Sequence, residues 1–405
     1  MKKKIGMAFV MILFMANGAF AADDLKSAFK EGELRGQFRT YYFIRDFDVK
    51  NTREDIAAGG TLYYRTAPLH GINLGFAFYT AQGMGLNDPG KTVYGLLGTD
   101  ANGNHDSFSV LGESYIQATG WNTTLRVGRQ ELETPWVNTD DTRLTPQSNE
   151  AYTLMNNSIP DVEIFASHVT KMRGKTSTDF DSMTRFAGIT TDDKPVTLGG
   201  IIYSGIEGLN IALWDFYAHD YLNDFYIRAD YSRKITDSIT GFGTVHYLNQ
   251  GDVGNRLGGA LDTFLFAVEG GIESHGFTFS LAYADVGDQE ISCPWGNDYI
   301  VTGQINDCAR AEEKGIMAQL GYDFSKIGIQ GLTAKVIYID VDTPENGVNA
   351  SPDIDETDFD VKYKFSGALE GLGLRGRHAI IDQDETSGGE DFKDTRLYLT
   401  YDFSM

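Results

Sequence analysis

Asp140, Asp141 and Arg143 fall within one short polar run that is bracketed by Pro135 and Pro146. Side chains of this kind sort ions: a carboxylate pair attracts cations, and a guanidinium binds a carboxylate or phosphate through its planar fork. The two prolines fix φ at either end and limit how the backbone between them moves. Folded inward, such a loop would narrow an aqueous passage. Left outside, it would carry an Asp–Arg surface pair of little energetic weight.

Other reactive combinations point to less. Gly371, Gly373 and Gly376 spell a dinucleotide-binding fingerprint, but that pattern needs a helix after it to aim backbone amides at a pyrophosphate. Here Leu372 and Leu374 alternate with Arg375 and Arg377, which continues as a strand. The seven histidines are scattered and show no HExxH spacing. A serine hydrolase triad is assembled in space, so residue types alone give it no support. The acidic run Asp353, Asp355, Glu356 and Asp358 lacks the EF-hand spacing. A solvated surface, bridged to lipopolysaccharide by shared divalent cations, is expected there. Cys293 and Cys308 share a polar segment with no Cys or His neighbours to complete a zinc set. In an exported protein that pair is expected to form a local disulfide. These residues call for neither metal nor cofactor, and no enzymatic activity is expected.

Export is written in the first residues. Lys2, Lys3 and Lys4 precede an apolar run from Ile5 to Phe14, and Ala19-Phe20-Ala21 supplies the small-residue cleavage pattern. Residues 1–21 therefore read as a signal peptide and 22–405 as the mature domain. The chain carries 34 basic and 57 acidic residues, a net charge of -23, which falls to -26 once the three N-terminal lysines are removed. Such an excess disfavours nucleic acid as a partner. No later stretch is long and apolar enough for a membrane helix, so the mature chain is either released or inserted as strands.

Strands are what the alternation shows. Leu34, Phe38, Tyr42 and Ile44 share one face while Glu33, Arg35, Gln37, Arg39 and Arg45 share the other. The division returns near the end, where Phe359, Val361, Tyr363 and Phe365 oppose Asp358, Asp360, Lys362 and Lys364. Between such segments a glycine leads repeatedly into an alternating run, at Gly71, Gly208, Gly276, Gly331 and Gly371. With those turns as pegs, eighteen strands can be placed, near 33–45, 56–66, 72–82, 107–118, 123–133, 149–157, 162–172, 195–204, 209–218, 224–232, 239–249, 261–273, 277–286, 313–322, 332–340, 357–365, 372–382 and 393–403. The sixth alternates poorly and is needed for an even count. Short connections alternate with long polar ones, the pattern of a closed antiparallel up-and-down membrane β-barrel. Trp121, in a short turn, suits an interfacial aromatic belt.

The segment from Gly128 to Tyr152, with its run Asp141-Thr142-Arg143-Leu144-Thr145-Pro146, resembles the third loop of the OprD family of substrate-specific porins, where a similar Asp-Ser/Thr-Arg-x-x-Pro run lies in the constriction. The likeness extends over most of the mature chain in turn and strand order. It implies an eighteen-stranded monomeric channel with an inward constriction loop, and a ladder of basic side chains guiding carboxylate groups. Asp140, Asp141 and Arg143 fall on the loop motif. The chain departs from the pattern where Ser404 and Met405 follow Phe403, since many such barrels end on an aromatic residue, and in the loop carrying Cys293 and Cys308.

Strand parity places Arg35, Arg39, Arg126, Arg228, Lys362, Lys364, Arg375, Arg377 and Arg396 on the luminal side, with Arg65 beside them. Closure makes the first and last strands neighbours, so Arg35, Arg39, Arg375, Arg377 and Arg396 become one wall. Those cations either attract carboxylates or are neutralised by Glu33, Asp358, Asp360, Asp394 and Asp402, and a mixture is expected. The sequence thus predicts an outer-membrane diffusion channel for small anionic or zwitterionic solutes, carboxylate-bearing compounds or amino acids, set among lipid and lipopolysaccharide. The alternatives are an outer-membrane lipid hydrolase and a non-conducting surface barrel or adhesin.

Overall fold

The computed structural model describes residues 22–87, 95–100 and 104–405; the expected signal peptide, residues 1–21, lies outside them. Among the described residues eighteen long strands follow one another. They are β1 (Glu33–Phe47), β2 (Arg53–Arg65), β3 (Ile72–Gly83), β4 (Phe108–Gly120), β5 (Thr123–Gln130), β6 (Ser148–Asn156), β7 (Val162–Arg173), β8 (Val196–Ile206) and β9 (Leu209–Ala218). The second half comprises β10 (Leu222–Lys234), β11 (Ile239–Asp252), β12 (Asp262–Ser274), β13 (Phe277–Val286), β14 (Lys314–Asp323), β15 (Leu332–Asp342), β16 (Ile354–Lys364), β17 (Leu372–Gln383) and β18 (Phe392–Ser404). Each pairs antiparallel with its sequence neighbours. β1 also pairs with β18, from Arg35–Ser404 to Phe47–Phe392, and this closes the cylinder. Closure leaves no strand edge to satisfy in lipid.

All eighteen expected strands are present. β6, weakest in the sequence, pairs along its length with β5 and β7. Its inner face holds the buried Asn149, Ala151 and Thr153 and its outer face Tyr152 and Leu154. Small inward residues, rather than charged ones, are why its alternation is hard to read. In β1 the expected division holds, with Phe38 exposed outward and Tyr41 and Phe43 buried inward.

The recurring glycine has a specific task. Gly71, Gly208, Gly276, Gly331 and Gly371 all adopt positive φ, a conformation that costs other residues but not glycine. At Gly71 and Gly371 an added Cβ would collide with the carbonyls of Thr119 and Asp402. Those same residues donate their amides to the glycine carbonyls, at 2.7 Å from Thr119 and 2.9 Å from Asp402. Each such turn is thus bonded to the strand that follows its hairpin. The start of β1, the end of β18 and these short turns lie at one end of the barrel, the periplasmic one by the rule that external connections are the longer. Trp121 projects almost fully exposed from the β4–β5 turn, as an interfacial belt residue would.

Two of the long connections do not stay outside. The loop 131–147 after β5 and the loop 287–313 after β13 turn into the lumen, burying Trp136, Val137 and Leu144 from the first and Trp295, Tyr299, Ile300 and Val301 from the second. The first was expected to fold inward. The second was expected to be a polar external loop held by a disulfide. Its apolar residues instead join the largest buried cluster, and both of its cysteines are free. Smaller elements complete the fold. Helix α1 (Leu25–Lys30), capped by Asp24, docks on the β2–β3 turn, and the helical turn α2 (Met183–Phe186) sits beside β7.

Candidate functional site in the lumen

The 131–147 loop is held by its apolar residues and presents its charged ones. Trp136 packs edge-on against Tyr226 of β10 and Tyr299 of the second loop, with ring centroids 5.7 and 5.4 Å away. Asn138 donates its amide to the Trp295 carbonyl at 3.2 Å and its side chain to the Asn297 carbonyl at 3.0 Å. At the far end Arg173, fully buried, donates to the carbonyls of Pro146, Gly174 and Ser177. A buried guanidinium surrounded by carbonyls satisfies its own donors and orders the loop backbone at once. Gln147 donates its amide to the Thr139 carbonyl at 2.7 Å and closes the loop neck.

Residues 140–143 hang from that frame. Asp141 accepts from both terminal nitrogens of Arg39, at 3.0 and 2.9 Å, and Arg39 also donates to the Arg143 carbonyl. Asp140, at φ +37°, is turned to an ion pair with Lys175. Burial holds the Lys175 ammonium below its ordinary value, with Asp140 opposing that shift. Among the described residues the Arg143 guanidinium bonds only to its neighbour Thr142 and has no ion pair. At the loop root Glu131 accepts from the hydroxyls of Tyr63 and Tyr79, both at 2.5 Å. Burial pushes the Glu131 carboxyl above the usual glutamate range, against those two donors and the charge of Arg35.

Arginines distant in sequence do meet, and most have partners. Arg375 forms a two-bond fork with Asp360, at 2.9 and 2.6 Å, and Lys362 stands 3.9 Å from the same carboxylate. Arg377 is 4.0 Å from Asp358. Arg396 is buried between Asp394, at 2.7 Å, and the Gln304 carbonyl of the second loop. Arg126 is buried too, bonded to Gln117 and stacked over Tyr115. Arg35 lies over the Tyr63 ring at 4.2 Å, and Arg65 pairs with Glu33. Of the residues singled out in the sequence, Arg39, Asp141, Lys362, Lys364, Arg375 and Arg377 line one cavity of about 200 Å³, together with Tyr398. Arg126 and Arg396 brace the wall instead, and Asp140 braces the loop.

Beside it lies a larger chamber of about 880 Å³, bordered by Ile300 and Thr302 of the second loop. Lys362 borders both spaces. The second loop reaches across the lumen. Asp298 accepts from Arg228 at 2.9 and 3.0 Å and from the Tyr226 hydroxyl at 2.6 Å. On its other flank Gln304 donates to Asp394 of β18 at 2.7 Å, and Glu356 of β16 accepts the backbone amides of Gln304, Ile305 and Asn306. Burial raises the Cys293 thiol to about 11 and pushes Cys308 up as well. Both are therefore thiols at neutral pH, poorly disposed to exchange.

Sequence reasoning missed Lys175, Glu131, Gln304 and Asp298 as parts of this site. Trp295, Tyr299 and Ile300, too apolar for an exposed loop, were the available signal.

A family model described as "outer membrane porin, OprD family" matches residues 27–405. Among solved structures, Pseudomonas aeruginosa OpdK with vanillate is 20% identical and aligns over 93% of this chain and 99% of its own, with a TM-score of 0.84. Pseudomonas aeruginosa OccK9 (OpdG) is 22% identical over 94% of this chain and 100% of its own, TM-score 0.84. Acinetobacter baumannii OccAB2 is 22% identical over 94% and 99%, TM-score 0.83. No curated protein matches significantly.

Proposed function

As this chain belongs to the OprD family of outer-membrane porins, we propose that it passes small carboxylate-bearing solutes, anionic or zwitterionic, through the constriction between the Arg39–Asp141 contact and the Arg375–Arg377 wall. The channel lies in the outer membrane of a Gram-negative bacterium. The lipid-hydrolase and non-conducting barrel or adhesin alternatives are not favoured.

One observation carries the solute class. Arg39, Lys362, Arg375 and Arg377 face one narrow space in which Asp141 is the one carboxylate among the lining residues. The carboxylates paired with Lys362, Arg375 and Arg377 are Asp360 and Asp358, both buried and outside that lining. An arginine has five N–H donors and a carboxylate partner occupies two, so the fork bound to Asp360 keeps donors for a passing anion. Each exchange is then between similar charge-assisted bonds. Field and width, rather than a tight pocket, set selectivity. Asp141 across the space suits the ammonium group of a zwitterion.

Asp140 and Arg143 contribute as frame and free charge of the loop tip, Arg35 as a cation of the wall, and Arg126 and Arg396 by bracing it. The barrel works as a monomer, and residues 1–21 direct export. Planar-bilayer recording with reversal potential in a salt gradient is the test. Discrete channels are expected, with a carboxylate preference that falls in R375Q/R377Q. Absence of channels, or cation selectivity indifferent to that double substitution, overturns the reading.

A further inference from the structure

At the external ends of β5 to β9 the outer surface of the barrel carries two polar rows, one above the other. In the upper row Arg129, Glu150 and Lys171 stand directly opposite one another on β5, β6 and β7. Arg129 donates to Glu150 at 3.1 Å and Lys171 stands 3.9 Å from the same carboxylate, so one anion serves two cations. The Phe180 ring covers the Arg129 guanidinium at 4.1 Å. One step nearer the membrane, Tyr152, His168, Thr197 and Tyr217 stand opposite one another on β6, β7, β8 and β9. The Thr197 hydroxyl bridges His168 Nδ1 at 2.9 Å and His219 Nε2 at 3.0 Å.

Beneath those rows the wall is indented. Ala166 and Gly199 are neighbours there, with the exposed Leu154 opposite Ala166 and the exposed Leu213 one step further down β9, opposite Ile201. A Cβ on Gly199 would meet only the Phe165 carbonyl, at 3.8 Å. Cations and imidazoles thus cap a shallow apolar trough running down the lipid-facing wall. Asp215, beside Gly199, is occupied by the Asn223 amide at 3.0 Å.

Charged groups facing lipid are costly unless they sit at headgroup level. At the external end of an outer-membrane barrel that level belongs to an amphiphile with phosphates on a sugar and acyl chains below. We propose that this face docks one molecule of lipopolysaccharide, its lipid A phosphate on Arg129, Lys171 and the His168–Thr197–His219 cluster, with an acyl chain along Ala166 and Gly199. Charge complementarity selects this sector. On β15 to β17 the outward residues at comparable height are Asp340, Asp355 and Asp382, directly opposite one another, and these repel phosphate. The proposal rests on outer-membrane placement alone and is independent of which solute the lumen passes.

The full-length barrel, stripped of lipopolysaccharide in detergent, is titrated with bisphosphorylated lipid A and followed by native mass spectrometry. Dephosphorylated lipid A and phosphatidylglycerol serve as the other probes. Saturable binding of one bisphosphorylated lipid A is expected, weakened at least tenfold in R129Q/K171Q and again in G199L, which fills the trough. Single-channel conductance should be unchanged in every variant, which shows that the barrels are folded. Equal binding of the dephosphorylated lipid or of phosphatidylglycerol overturns the proposal, as does wild-type affinity in both variants. D340N, on the opposite sector, should bind as wild type.

Discussion

Arg39 of the first strand and Asp141 of the inward loop, 102 positions apart, are joined by two parallel hydrogen bonds of 3.0 and 2.9 Å. The pair does two things at once. It pins the loop tip to the wall and takes one cation and one anion partly out of the field felt by solutes.

Arg39 also holds the Arg143 carbonyl, whereas Asp141 has no further partner on that wall. R39Q should therefore loosen the loop tip more than D141N does. The pair is part-exposed, at 10% for the arginine side chain and 46% for the aspartate, so the coupling in a double-mutant cycle should be about 1 kcal/mol or less. Single-channel recording should show larger and noisier conductance in R39Q, and an anion-ward shift of reversal potential in D141N. Equal effects of the two would refute the asymmetry.

Asp360 neutralises Arg375 from behind and shares Lys362. D360N should unmask both cations and raise anion preference, opposite in sign to R375Q. Reversal potentials in a salt gradient check this; a shift of the same sign in both variants would contradict it.

Trp136 is 1% exposed and bridges the two inward loops. Its removal in W136A should cost about 3–5 kcal/mol of local packing while the closed sheet persists. Protease should then cut within the 131–147 loop, and conductance should rise as both loops relax. An uncut loop with wild-type conductance would show that Trp136 is not the anchor.

The raised carboxyl at Glu131 gives a pH dependence. A group whose value is raised gains its proton at higher pH than an ordinary glutamate, so as pH falls the lumen loses negative charge there before its ordinary carboxylates are protonated. Glu113 accepts the Glu131 amide at 2.8 Å, and the Asp141 charge raises Glu131 further. Anion preference should increase on acidification, and E131Q should flatten that dependence while leaving the acidic-pH value unchanged. A wild-type pH profile in E131Q would exclude this carboxyl as the source.

The strands were legible because two local rules agree: alternation along each strand, and a glycine wherever a tight turn must take positive φ against a neighbouring backbone. The loop tip was legible because Asp140, Asp141 and Arg143 are contiguous. What was not legible depends on tertiary meeting. Arg375 finds its fork on Asp360 of the next strand, and Asp358 and Asp394 also emerge as partners, as strand parity allowed. Which arginines stay available, though, depends on distances that parity does not give. The inward course of 287–313 is set by Trp295 packing on Tyr221 and Tyr299 on Trp136, with Ile300 in the same buried cluster, a preference that Pro294 and the loop's glycines and acids conceal.

That second loop ends at opposite walls, on Arg228 of β10 at one flank and on Glu356 and Asp394 of β16 and β18 at the other. A hollow cylinder with a spoke across it resists flattening along that diameter, while remaining free to flex at right angles to it. Lateral pressure from the bilayer is then carried partly by a salt bridge and a few amides, and the channel's cross-section becomes a mechanical property of one loop.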